Sequence, residues 1–290
     1  MKESRRQFLG ELLRGTGAAG LLAAGGCGPG TFFEDNTRVD DRFNEAMAGH
    51  GKPLVFPEAV SDNFTFIWFS DLHMTGSGNH ALDRIGRYAD RVRAAMIFCS
   101  GDLVDRGLET EYARMEQLAA QYLPAPFFSA LGNHDLYNGG WARFKSLVGP
   151  SVFRFGYGPC DFVFIDAANG TVGKDQLNWM EDELPKLSRP HRFVFGHYPL
   201  YQGTVQTPGS MGNTEERLAL FQLFDQSGID FYLSGHIHVG SSFDIRGVHH
   251  VVTGAACPDK APTSDDNHFY RFDITPNDIK REKILVRDIP

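Results

Sequence analysis

Only four cysteines occur in 290 residues, Cys27, Cys99, Cys160 and Cys257. They have neither the spacing of a zinc knuckle nor the density of a disulfide scaffold, so any metal should fall to His and Asp. Cationic excess is also lacking. A formal charge of −8 and a pI near 5.7 exclude a broad basic platform for nucleic acid or anionic lipid and favour small-molecule substrates. No internal repeat and no low-complexity block interrupts the chain. Its apolar fraction of 42% can fill one sizeable core, and a single domain is the simplest expectation.

Long hydrophobic runs are absent too. The longest weakly apolar stretch, Gly15 to Gly26, is too short to span a bilayer comfortably and too glycine-rich for a good helix. It follows Ser4-Arg5-Arg6-Gln7-Phe8-Leu9, and the whole resembles a twin-arginine export signal. Cys27 closes the stretch in a context that resembles a lipoprotein processing site, although Ala24 stands where that pattern usually has Leu. The alternative is a signal-peptidase site of small residues at about the same place. The expected layout is an export signal over 1–27, a tether over 28–61 and one domain over 62–290. The chain is expected outside the cytoplasmic membrane, in the periplasm or at the cell surface, with a lipid on Cys27 as its membrane anchor.

The tether stretch bears Gly and Pro and contains one short helical segment, Phe43–Met47. From Phe64 the pattern changes. Phe64–Phe69, Ala95–Cys99 and Phe127–Leu131 are continuous β-prone runs that read as buried strands, separated by helical patterns at His80–Arg93 and Leu108–Tyr122. Helices are expected at Trp141–Leu147, Lys174–Lys186 and Glu215–Gln226. Further strands are expected at Val152–Phe155, Phe162–Asp166, Arg192–Phe195, Phe231–Leu233, Ser241–Ile245, His250–Thr253, Phe269–Ile274 and Lys283–Val286. This order predicts an α/β domain of two sheets packed face to face with helices outside.

Polar residues recur just after the buried strands: Asp71 and His73, Asp102 and Asp105, Asn133, His134 and Asp135, His197, and His236 with His238. Strand carboxyl ends form the ligand crevice of α/β sheets, so these clusters can converge. Asp71/His73 and His236/His238 are i, i+2 pairs, which in extended chain face one side. Glycines before Asp102, Asn133, His197 and His236 permit tight turns. Mixed carboxylate, amide and imidazole donors suit manganese, iron or zinc. Two such ions bridged by one carboxylate would lie about 3.5–4 Å apart, the separation used for displacement at phosphorus.

Asp71-Leu72-His73, Gly101-Asp102-Leu103-Val104-Asp105-Arg106, Gly132-Asn133-His134-Asp135, Gly196-His197 and Gly235-His236-Ile237-His238 stand in the order of the calcineurin-like metallophosphoesterase family, which the chain resembles over residues 64 to about 254. The resemblance implies that Asp71, His73 and His238 hold one ion, Asn133, His197 and His236 a second, and that Asp102 bridges them. It also implies that His134 faces substrate, with Asp135 orienting its ring, while a hydroxide between the ions attacks in line. Arg106 either meets substrate phosphate or closes a surface ion pair, and Asp105 is a turn residue or a support behind the ligands. His50, His80, His191, His249, His250 and His268 read as hydrogen-bonded loop residues. The metal-ligating Tyr of the purple acid phosphatase branch is missing at this spacing. The implied activity is hydrolysis of a small phosphomonoester or phosphodiester; the rival is a surface lipoprotein that binds metal or phosphate without turnover.

Overall fold

In β1 (Phe64–Phe69), Phe64, Phe66 and Trp68 face one way and Ile67 and Phe69 the other, and both faces are buried. That alternation explains why the run reads as continuously apolar: the strand is sandwiched between a second sheet and a helical layer. The computed structural model describes residues 37–49, 61–203 and 209–290. The export signal and Cys27 lie outside the described residues.

β1 pairs in parallel with β2 (Met96–Cys99), and β2 with β3 (Phe127–Ser129). The connecting helices are α2 (Ala81–Arg91) and α3 (Glu109–Tyr122). On the far side of β1, antiparallel β10 (His268–Thr275) and β11 (Asp278–Leu285) complete a five-stranded sheet. After the single turn α4 (Asn133–Leu136) and α5 (Trp141–Leu147) come β4 (Phe153–Tyr157), β5 (Cys160–Phe164), α6 (Lys174–Glu183), β6 (His191–Phe195), α7 (Thr214–Gln226), β7 (Phe231–Ser234), β8 (Ser241–Ile245) and β9 (Val248–Val252). The second sheet runs β4-β5-β6-β7-β9-β8, with a parallel centre and antiparallel edges. Arg246 and Gly247, both at positive φ, make the two-residue turn between β8 and β9.

The sheets meet through an aromatic layer. Phe66 stacks on Phe272 at 4.6 Å and meets Phe162 and Phe193 edge-on, while Phe98 lies 4.9 Å from Phe195. Separate apolar clusters lie under α2 and α3 on one outer face and under α6 and α7 on the other. The fold is therefore the expected sandwich flanked by helices. Cys99, Cys160 and Cys257 are buried and free. Among the described residues no helix is long and apolar enough to cross a membrane.

Two expectations need correction. The last strand starts at Asp278 rather than Lys283, because its polar residues sit on an exposed sheet edge, where charge is favoured and no hydrophobic period appears. The stretch expected as a tether contains α1 (Val39–Gly49), longer than the anticipated Phe43–Met47 and docked on the domain. Phe43 and Ala46 pack against Val152 and Trp179. Arg42 is fully buried, with Nε and Nη2 donating to the Asp166 carboxylate at 2.8 and 3.0 Å and Nη2 also to Asn169 Oδ1 at 2.6 Å.

Candidate metal centre

Chain leaving β1 and chain leaving β2 stay paired beyond their strands, since Asp71 N donates to Gly101 O, His73 N to Asp102 O and Met74 N to Leu103 O. Asp71, His73 and Asp102 are thus brought side by side. Two further motifs are tied in by their own backbone: His134 N donates to Asp102 Oδ1 at 2.8 Å and His236 N to Asp71 Oδ2 at 3.0 Å. A Cβ on Gly132 would lie 2.2 Å from Asp102 Oδ1 and one on Gly235 2.3 Å from Asp71 Oδ2, so these glycines serve close approach. Gly101, at φ +94°, is the one of the four that also needs glycine's conformational freedom.

The i, i+2 pairs are not extended. Asp71, His73, Asp102, His236 and His238 have φ of 55°, 44°, 53°, 74° and 59°, the left-handed region that side chains other than glycine rarely occupy. Kinked backbone, rather than strand alternation, aims each pair inward. Five of the eight non-glycine residues in that region among the described residues belong to this cluster. Such clustering is characteristic of functional sites.

The structure brings all seven sequence-predicted ligands together. In one half, His238 Nε2 lies 3.3 Å from Asp71 Oδ1 and 3.1 Å from His73 Nε2, which is 3.7 Å from Asp102 Oδ2. In the other, Asn133 Oδ1 is 3.0 Å from both His197 Nε2 and His236 Nδ1, and His197 Nε2 is 3.3 Å from Asp102 Oδ2. Asp102 belongs to both halves. The floor is buried, with Asp71, His73, Asp102 and His197 at most 1% exposed, while His236 and His238 form a more open rim.

These distances fit metal ligation. Donors held about 2.1 Å from one cation lie roughly 3.0–3.4 Å apart, a range that includes the reported separations other than the 3.7 Å between His73 Nε2 and Asp102 Oδ2. The ring tautomers fit as well. His197 Nδ1 donates to Ser100 O at 2.8 Å and His238 Nδ1 to Lys260 O at 3.2 Å, so Nε2 is the nitrogen each ring presents to the cluster. Burial would raise the Asp102 carboxyl, but His197, His73 and His134 outweigh it and hold the group below its ordinary range. Asp71 is likewise lowered against burial, by His238 and His197. Ionised carboxylates facing imidazole nitrogens make a cation-binding surface of the two-centre kind.

Residues 64–240, more than half the chain, match the family model described as calcineurin-like phosphoesterase. The chain belongs to the calcineurin-like phosphoesterase family. Among curated relatives, a manganese-dependent ADP-ribose/CDP-alcohol diphosphatase of Arabidopsis thaliana is 35% identical over 95 residues, 31% of this chain and 30% of that protein. An uncharacterized metallophosphoesterase of Bacillus subtilis, YkuE, is 27% identical over 164 residues, 54% of each. The chain thus spans from under a third to about half of these relatives. A purple acid phosphatase from yellow lupin seeds shares the fold at a TM-score of 0.63 and 16% identity, covering 81% of this chain and 53% of that one.

Within this family fold the remaining predicted residues take distinct places. His134 borders the first half, its ring 4.5 Å from that of His73, and Nδ1 donates to the Asp105 carbonyl at 2.6 Å. Asp135 does not orient that ring. As the third residue of α4 it turns its carboxylate back to accept from Gly132 N at 2.9 Å and from Val104 N at 3.1 Å, fully buried beneath the site. Burial and the Asp102 charge raise its carboxyl well above the ordinary range. Arg106 is exposed at the rim, with Nε 3.8 Å from Asp105 Oδ2.

Sequence reasoning missed three supports. Tyr137 Oη accepts from Asn133 Nδ2 at 3.1 Å, which leaves Asn133 Oδ1 to face the histidines. Tyr198 stacks on His236 at 3.7 Å. Lys260 Nζ pairs with Asp105 Oδ1 at 2.7 Å, and Asp105 in turn faces His73 Nδ1 at 3.4 Å. Only Tyr198, next to His197, had a local signal.

Proposed function

We propose that the chain hydrolyses small phosphate esters, monoesters or diesters, by in-line displacement with two metal ions as cofactors. The observation that carries this reading is Asp102, one carboxylate shared by two clusters of nitrogen and oxygen donors. In it Asp71, His73 and His238 would hold one ion, Asn133, His197 and His236 the other, and Asp102 both. When bound, two such cations neutralise charge at the phosphoryl group and lower the pKa of the attacking water.

The chain's own residues supply the rest. His134 donates Nδ1–H to the Asp105 carbonyl, so its Nε2 is the atom free to meet phosphate or the leaving oxygen. Burial lowers the His134 pKa, so a proton taken up at Nε2 is readily given away. Asp135 keeps the Gly132 turn and the Val104 backbone in place, and so positions Asn133 and His134. Arg106 at the rim offers a guanidinium to a phosphate oxygen. Manganese is the first ion to test, because the Arabidopsis thaliana relative is by name a manganese-dependent diphosphatase, and diphosphate esters join the substrates to be tried.

The motif at Arg5-Arg6 and the context of Cys27 support export and a lipid-anchored location. The deciding experiment is turnover of 4-nitrophenyl phosphate and bis(4-nitrophenyl) phosphate by purified chain loaded with manganese, iron or zinc. Metal uptake with no turnover of any ester would refute the hydrolase and leave a metal- or phosphate-binding surface protein.

A further inference from the structure

The two halves of the centre are supported by different means. His197 is set by the buried Ser100 carbonyl, Asn133 by the half-buried Tyr137 hydroxyl and His236 by the Tyr198 ring. The His73–His238 half relies instead on a contact between two loops. Its outer nitrogens face two loops 155 residues apart, one after β2 and one after β9. His238 Nδ1 donates to the Lys260 carbonyl, and the buried His73 Nδ1 has Asp105 Oδ1 as its neighbour at 3.4 Å, longer than a formed hydrogen bond. What joins the loops is the 2.7 Å ion pair of Lys260 Nζ with that same Asp105 oxygen. The Asp105 carbonyl also orients His134.

The Lys260 loop is itself anchored at the site, since Cys257 N donates to Asp71 O at 3.1 Å and Lys260 N to Cys257 O at 3.2 Å. Lys260 is thus held at a fixed offset from Asp71, with a side chain about one-third exposed. An ammonium there holds the Asp105 carboxylate against His73 while its own carbonyl holds His238. One cross-loop contact therefore sets both imidazoles of one half.

We infer that the Asp105–Lys260 ion pair is a positioning clamp for the His73–His238 half of the centre, so that breaking it loosens one metal ion and leaves the other in place. Asp105 also lies within ligand reach of His73 and His134, but with Lys260 Nζ on its Oδ1 it is assigned, like Lys260, a positioning role. The inference rests on the reading of the cluster as a two-cation centre.

The test uses full-length chain loaded with manganese, challenged with EDTA and measured by elemental analysis and electron paramagnetic resonance. Native protein should keep two ions per chain with a spin-coupled signal. Lys260→Met should keep one, with an uncoupled signal, as the affinity of one half falls on the order of 10–100-fold, the usual effect of removing a group that orients a ligand. Lys260→Arg should restore the second ion, and Asp105→Asn should behave like Lys260→Met, with the double variant no worse than either. Lys260→Met should add to the loss in His236→Ala but not to that in His73→Ala. Two equally EDTA-resistant ions in Lys260→Met, or loss of both, overturns the clamp alone. Failure of native protein to take up two ions of manganese, iron or zinc overturns the two-cation reading and the clamp with it.

Discussion

Replacing Arg42 by Ala tests whether α1 is part of the fold. The guanidinium is fully buried and holds Asp166 through two hydrogen bonds, Asn169 through a third, and the Thr37 carbonyl through Nη1 at 2.8 Å. Its removal leaves the buried Asp166 carboxylate with the Ala168 N–H at 3.2 Å in place of a cation. Breaking a buried pair from one side costs about 3–5 kcal/mol. The loss has a ceiling, because α1 can detach and let water reach Asp166. Detachment forfeits the burial of Phe43, Ala46 and Val39, at most 9% exposed, about 4 kcal/mol at roughly 1.5–3 kcal/mol per large apolar side chain. Both routes converge on about 3–4 kcal/mol, which at about 2–4 °C per kcal/mol for a domain of this size lowers Tm by roughly 6–16 °C. Differential scanning calorimetry of full-length chain reads this directly. Arg42→Met with Asp166→Asn, which removes both charges, should recover much of the loss. A Tm for Arg42→Ala within about 2 °C of native protein would refute the reasoning and return α1 to the role of a tether.

His134→Ala should keep its metals yet lose activity on the order of 10²–10⁴-fold, more for alkyl esters than for nitrophenyl esters, and equal losses would mean charge stabilisation at phosphorus rather than proton donation. Because burial depresses the His134 pKa, the protonated acid is present below that value and lost above it, so alkyl-ester turnover should fall as pH rises through a point below about 6.5, a limb absent from His134→Ala. Asp102→Ala should lower metal content in both halves, whereas elemental analysis showing a single ion lost would refute a bridge. Replacing Arg5 and Arg6 by Lys should retain the precursor in the cytoplasm, and Cys27→Ser should release mature protein from membranes; attachment unchanged in the latter would rule out Cys27 as the anchor.

The site was legible in sequence because its ligands follow strands whose two buried faces leave an unambiguous apolar signature, as in Phe64–Phe69 before Asp71. What could not be read is geometry that no period encodes. An i, i+2 spacing suggests extended chain, whereas Asp71/His73 and His236/His238 occupy left-handed backbone. The Asp135 carboxylate was expected at the His134 ring, but its place in α4 turns it back to Gly132 N. Lys260 and Tyr137 were invisible because each acts through a contact made only in three dimensions, with Asp105 and Asn133. The length of α1 was missed for a related reason. Arg42 reads as a solvent-seeking charge in a Gly/Pro-bearing stretch, and only Asp166, 124 residues away, makes it a core residue.

The left-handed backbone at Asp71, His73, Asp102, His236 and His238 sets stability against chemistry. Each position costs roughly 1 kcal/mol that glycine would not incur. A glycine at the rim positions His236 or His238 therefore relieves strain as it removes a ligand, whereas at Asp71 or Asp102 it also orphans the His236 or His134 backbone N–H. Selection for thermal stability alone would erode this centre at its rim first. Heat resistance in a collection of variants is consequently a poor guide to which of them still bind metal.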